Sequence, residues 1–205
     1  KMAILTLHPN NGGGILSSLS AVYKFCDHYF EPTVFFLGFD VRMSAHLRPF
    51  KFSSSIVRKN YFGMRSVEIG ARWAFWEPGH YKFTCETWKK ELAGFDYFFV
   101  TSGTPIAAHP LVLLNKKFLL WTATPYDDDR TERMAKDLGI RKFIDKLAVP
   151  KMRIIEKNIL ACATKIMPMS HYARDRFSEI GNIKYSKMDV CGYPVETASL
   201  SSEKD

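Results

Sequence analysis

Residues 169–196 read MSHYARDRFSEIGNIKYSKMDVCGYPVE. An apolar run over 165–169 delivers Ser170, a residue type that caps helix N-termini, and an amphipathic stretch then runs to Gly181. A second apolar run, 188–191, stops at Gly192 and Pro194, where a polar tail begins. Strand, helix and strand in succession predict a parallel unit, and the rest of the chain can be read outward from it.

Upstream, residues 131–163 have helical periodicity with breaks expected at Gly139 and Pro150. Ile140, Phe143, Ile144, Leu147 and Ala148 fall on one side there, opposite Arg141, Lys142, Asp145 and Lys146, and the apolar side is expected to dock on the sheet. Strands are expected at 117–121 and 97–100, a short helix at 110–114, and a longer helix over 81–93 ended by Gly94. At the amino end, 2–7 is a short apolar strand and 8–14 a turn. Ile15, Leu16, Leu19, Val22, Tyr23 and Cys26 then recur at helical spacing, and 33–39 is a second strand. Between 41 and 81 the pattern is weak, with a short edge strand over 66–69 and an aromatic knot at Trp73, Phe75 and Trp76. Alternating strands and helices predict an α/β fold, a Rossmann-like parallel sheet with helices on both faces. One domain is expected over 1–194, with 195–205 as a polar tail.

The 205 residues, 46% of them hydrophobic, suit a single packed unit. Cys26, Cys85, Cys162 and Cys191 form no CxxC pair and no zinc-ligand spacing, so reduced thiols in a cytoplasmic protein are expected, with no metal. No secretory leader is expected ahead of so early a strand, and no spanning helix, since every apolar run falls short of the roughly 20 residues one needs. The net charge of +8 asks for an anionic partner. It concentrates in two stretches. Arg42, Arg48, Lys51, Arg58, Lys59 and Arg65 are interleaved with aromatics and free of acids, and nine cations face four acids over 130–157. A solvated charged face explains such runs; so does a surface for phosphates or anionic lipid headgroups, with Arg42, Arg48, Lys51, Arg58, Lys59, Arg141, Lys142 and Lys146 as the candidates.

In open parallel sheets ligands bind beyond the carboxyl ends of the strands. There the chain reads HPNNGGGI after the first strand, and Asn11, Gly12, Gly13 and Gly14 let a ligand approach the backbone at the positive end of the following helix. A tight turn touching nothing is the plainer account. Ser17 stands where a dinucleotide fingerprint needs its third glycine, although Asp40 imitates that fingerprint's ribose-binding acid.

Taken in order, GGGI, FDYFFV (95–100), FLLWTATP (118–125), IIEKNILACATKIMPMSHYARDRF (154–177) and VCGYPVE (190–196) resemble the N-terminal domain of GT-B fold, retaining nucleotide-sugar glycosyltransferases. The last two segments are the specific ones. The resemblance implies one half of a two-domain enzyme, with acceptor contacts here and the donor carboxylate and basic pair on the absent half. No catalytic residue is assignable in this half, no cofactor is implied, and the tail would begin an interdomain linker. It further implies that Asn11 to Gly14 face the donor phosphates or transferred sugar, and that Ser102, Gly103, Thr104, Thr124, Ser170 and Arg174 stand on the acceptor side. The chain departs from the family where many members carry a histidine after the strands ending at Val100 and Trp121. Thr101, Ser102 and Gly103 stand at the first turn and Thr122, Ala123 and Thr124 at the second. The thiols lead to the expectation of a cytoplasmic protein, and the basic stretches allow peripheral contact at the inner face of the membrane.

Plainer roles compete. Ser170 is an N-cap; Asp127, Asp128 and Asp129 offset a helix dipole; His8, His109 and His171 are structural or exposed. Two other functions stay open: an NAD(P)-type dinucleotide-binding oxidoreductase domain, and a non-catalytic module that binds anions or nucleic acid, although no nucleic-acid motif of recognisable spacing is present.

Overall fold

The computed structural model describes residues 1–9, 14–38, 55–72, 76–134 and 140–193, with the backbone alone at 131–134 and 140–142. Among these residues seven strands form one sheet: β1 (Met2–Leu5), β2 (Pro32–Gly38), β3 (Ile56–Tyr61), β4 (Met64–Gly70), β5 (Tyr97–Ser102), β6 (Leu119–Thr122) and β7 (Lys165–Pro168). Their spatial order is β3-β4-β2-β1-β5-β6-β7, and every pairing is parallel except β3 with β4. The fold is α/β and Rossmann-like, as the alternation of elements predicts.

β1 lies at the centre, and its four residues, Met-Ala-Ile-Leu, are all buried. A strand covered on both faces reads as an unbroken apolar run, which is why this segment and β2 are legible from sequence. Alternate residues divide between two cores. Ala3, Leu5, Phe35, Leu37, Val100 and Leu120 face one side, beneath α2 (Cys85–Leu92), α3 (His109–Leu113), α5 (Ile140–Cys162) and α6 (His171–Gly181). Met2, Ile4, Val34 and Phe36 face α1 (Ile15–Asp27) on the other.

Among the described residues that second face is only half covered. Right-handed crossovers carry the helices that follow β5, β6 and β7 to the same side, so among the described residues α1 has no neighbour over those strands. A groove of ≈ 640 Å³ results, lined by Phe25, Tyr97, Phe99, Leu119 and Met167 among others. Asp96, Lys117 and Thr164 put it at the amino-terminal half of the sheet, away from the carboxyl-edge crevice.

Several expectations are corrected. Residues 66–69 belong to an interior strand, β4, because the strand β3 covers its edge. β3 carries Arg58, Lys59 and Asn60 and shows no apolar alternation. A two-residue turn joins the pair, with both Phe62 (φ 51°) and Gly63 (φ 80°) in the left-handed region, as a tight hairpin demands. The helix expected over 81–93 begins at Cys85, and the Thr84 hydroxyl donates to the His80 carbonyl at 2.8 Å in the turn before it. Pro150 does not interrupt α5: Ala148 and Met152 are buried on either side of it, and packing outweighs one missing helical hydrogen bond. The docking side of α5 also differs. Asp145, Ala148 and Met152 are buried, whereas Phe143 and Leu147 face outward.

The strand expected over 188–191 shortens to a bridge between Met188 and Ile166, extended by Asp189 N–H to the Ile166 carbonyl (3.0 Å) and Cys191 N–H to the Pro168 carbonyl (2.9 Å). Asp40 and the aromatic residues Trp73 and Phe75 lie outside the described residues, as does the tail from 194.

Candidate functional site

The chain leaves β1 for β2 on one side and β5 for β6 on the other, so the strand order reverses between β1 and β5. Loops diverge there to opposite faces and leave a crevice at the carboxyl edge. Gly14, exposed, opens onto it at the start of α1. Among the described residues no side chain caps this helix: Ser17 and Ser18 hydroxyls donate back to the Gly14 carbonyl at 2.9 and 2.8 Å. The first-turn N–H groups of a helix have no intrahelical acceptor, and they carry the positive end of its dipole. Asn11, Gly12 and Gly13 lie outside the described residues.

The turn after β5 stands against this helix start, since a Cβ at Gly103 would lie 3.7 Å from Ile15 Cδ1. The Gly103 carbonyl holds two turns together. It accepts from the N–H groups of Ala123 (3.2 Å) and Thr124 (2.9 Å) and from the hydroxyls of Thr124 (3.2 Å) and Thr122 (3.4 Å). Ser102 donates its hydroxyl to the Thr104 carbonyl, and both residues are buried. Of the expected acceptor-side residues, Ser102, Gly103, Thr104 and Thr124 are thus brought together, with the hydroxyl donors of Ser102 and Thr124 turned into the scaffold.

Ser170 caps α6, its hydroxyl accepting from Ala173 N–H at 3.1 Å. Arg174 turns to Asp175, donating through Nε (3.0 Å) and Nη2 (2.9 Å), and its guanidinium lies 4.6 Å from the Tyr185 ring centroid.

One contributor had no signal in the sequence. The Tyr193 ring reaches within 3.0 Å of where a Gly14 Cβ would be, and it stands 6.4 Å from the Trp121 ring. Trp121 in turn donates its indole N–H to the Cys191 carbonyl at 2.7 Å. The chain's own carboxyl-terminal segment therefore borders the glycine-led helix start. GYP reads locally as the end of a strand, and nothing in it announces a contact with a residue near position 14.

Beside the crevice, Glu156 of α5 accepts from the Tyr126 N–H at 2.8 Å and caps α4 (Tyr126–Met134). Burial pushes this carboxyl up to about 7, with Asp127 and Asp128 adding to the rise while the Tyr126 N–H and Arg176 oppose it. The acids that open α4 are tied to neighbouring helices. Asp127 meets Arg153 Nε at 2.6 Å, and Asp128 accepts from the Tyr172 hydroxyl at 2.8 Å and lies 3.6 Å from Arg176. His109 is buried against Tyr81, and desolvation lowers it to about 4, so it stays neutral near pH 7. His8 packs edge-on against Phe36, and burial lowers it too. His171 is exposed.

Two of the basic candidates are partnered. Arg58 grips both oxygens of Glu91 at 2.8 and 2.7 Å, and Lys59 meets Glu68 at 2.5 Å while lying over the Tyr61 ring. Lys146 is exposed, Arg42, Arg48 and Lys51 lie outside the described residues, and of Arg141 and Lys142 only the backbone is described. Among the described residues no helix is long and apolar enough to cross a membrane. Compared with protein families and with curated proteins, the chain matches none.

Proposed function

We propose that this chain is the acceptor-side half of a glycosyltransferase that moves a sugar from a nucleotide-sugar donor to a hydroxyl acceptor, closing against a second Rossmann-like domain. The observation that carries the reading is the approach of the β5 turn to the start of α1, where a Cβ at Gly103 would lie 3.7 Å from Ile15 Cδ1. It sets the glycine-led start of α1, which no side chain among the described residues caps, beside the β5 turn at the point where strand order reverses, the place where open α/β sheets bind ligands. Backbone N–H groups aimed there suit the negative charge that develops on a departing diphosphate. The Tyr193 ring forms one border of that cleft. Glu156 is no general base on this reading, because its carboxylate is buried and holds the Tyr126 N–H.

Nucleotide-sugar turnover by this chain joined to its donor-side partner domain, followed as nucleoside diphosphate release, tests the reading. Gly14→Val thickens the wall and is expected to lower turnover by about tenfold or more, the scale on which misplaced backbone donors act. Equal turnover in the two proteins, or micromolar binding of NAD(P) by this chain, overturns the proposal; the second result points to an oxidoreductase.

A further inference from the structure

We infer that the outward face of α5 is a docking surface for an anionic lipid bilayer. Phe143, Leu147 and Ile154 are 64%, 52% and 62% exposed, and exposed Pro150 stands between them. Their spacings of four, three and four place them in one stripe, about 16 Å long at 1.5 Å per residue. This stripe takes no part in the fold, because the opposite side of the helix, with Asp145, Ala148, Met152 and Ile159, is the buried one.

Charge selects the occupant. On the helical wheel Lys146, Arg153 and Lys157 follow one flank of the stripe and Lys151 the other, and all four are exposed. From 143 to 162 the helix has two acids, Asp145 and Glu156, and each is only 1% exposed. The outward face thus presents an apolar ridge between cations with no carboxylate of its own. Asp127 of α4 engages Arg153, leaving Lys146, Lys151 and Lys157 as the principal cations. Lys151 also lies 4.9 Å from the ring centroid of Trp76, an aromatic residue of the kind that settles at headgroup depth. The helix is convex, and cations flank its apolar ridge on both sides. That pattern matches a helix lying in the interfacial plane, apolar side toward the acyl chains and lysines among anionic headgroups. The inference is independent of the transferase reading and can stand or fall without it.

Co-sedimentation of the 205-residue chain with phosphatidylcholine vesicles, with and without phosphatidylglycerol, tests it. The chain is expected to bind the anionic vesicles and to bind the neutral ones far less. Leu147→Ser with Ile154→Ser, and separately Lys146→Glu with Lys157→Glu, are each expected to weaken anionic binding by about tenfold or more. Neither pair should shift the melting midpoint, since all four side chains are exposed. Failure of the unmodified chain to bind anionic vesicles, or unchanged binding in both variants, overturns the inference. Self-association dissolved by Leu147→Ser with Ile154→Ser, without vesicle binding, overturns it in favour of a protein interface.

Discussion

The Glu156 carboxylate accepts a hydrogen bond from the Tyr126 backbone N–H at 2.8 Å, so one residue of α5 caps the start of α4. Its second oxygen, Oε2, is buried with no hydrogen-bond partner. One carboxylate thereby joins two helices and carries a charge that burial disfavours.

This arrangement sets a pH dependence. The folded-state value of Glu156, about 7, lies above its ordinary 4.5, so the folded protein holds the proton more tightly than the unfolded chain. The stabilising contribution is fully present below about pH 4.5 and is lost as pH rises through 7. Glu156→Gln keeps an oxygen for the Tyr126 N–H and carries no charge. Urea unfolding should show the variant more stable than the parent at pH 8 by about 1–3 kcal/mol, with the parent at least as stable at pH 4.5. Parallel stability profiles across this range would rule the account out.

Arg130 and Asp145 form a buried ion pair at 2.5 Å between α4 and α5, and the Tyr126 hydroxyl donates to the nearby Glu77 at 2.9 Å. Removing one member of such a pair strands a desolvated charge. Arg130→Leu is expected to cost about 3–5 kcal/mol, and Arg130→Leu with Asp145→Leu to recover most of that loss. A double-mutant cycle in denaturant checks it, and strictly additive costs would show that the two side chains act separately.

The Trp121 indole N–H fastens the segment that carries Tyr193 by donating to the Cys191 carbonyl at 2.7 Å. Trp121→Phe keeps an aromatic ring and deletes the donor. Amide exchange over residues 188–193 is expected to accelerate, with a stability loss of about 1 kcal/mol. Unaltered exchange there would mean that the bridge to β7 holds the segment unaided.

Elements whose burial is uniform were readable without a structure. The run Met-Ala-Ile-Leu of β1, the buried β2 and the Ser170 cap all express preferences of neighbouring residues, and the order of strands and helices followed from them. β3 escaped because an edge strand needs no apolar alternation; Lys59 is held there by Glu68 across the hairpin and Arg58 by Glu91, a partner distant along the chain. The orientation of α5 escaped for a related reason. Phe143, Leu147 and Ala148 share an apolar arc in sequence, yet Asp145 and Glu156 lie inward because α4 brings Arg130 and the Tyr126 N–H to meet them.

The amino-acid order alone settled the class of the sheet and the position of the glycine-led helix start, since hydrophobic period and turn chemistry act within a few residues. Folding in three dimensions decided which side of α5 faces outward, that Tyr193 borders Gly14, and that Glu156 is a buried cap. Each of these rests on desolvation and hydrogen bonding between segments far apart in the chain, and no local pattern encodes the identity of a distant partner.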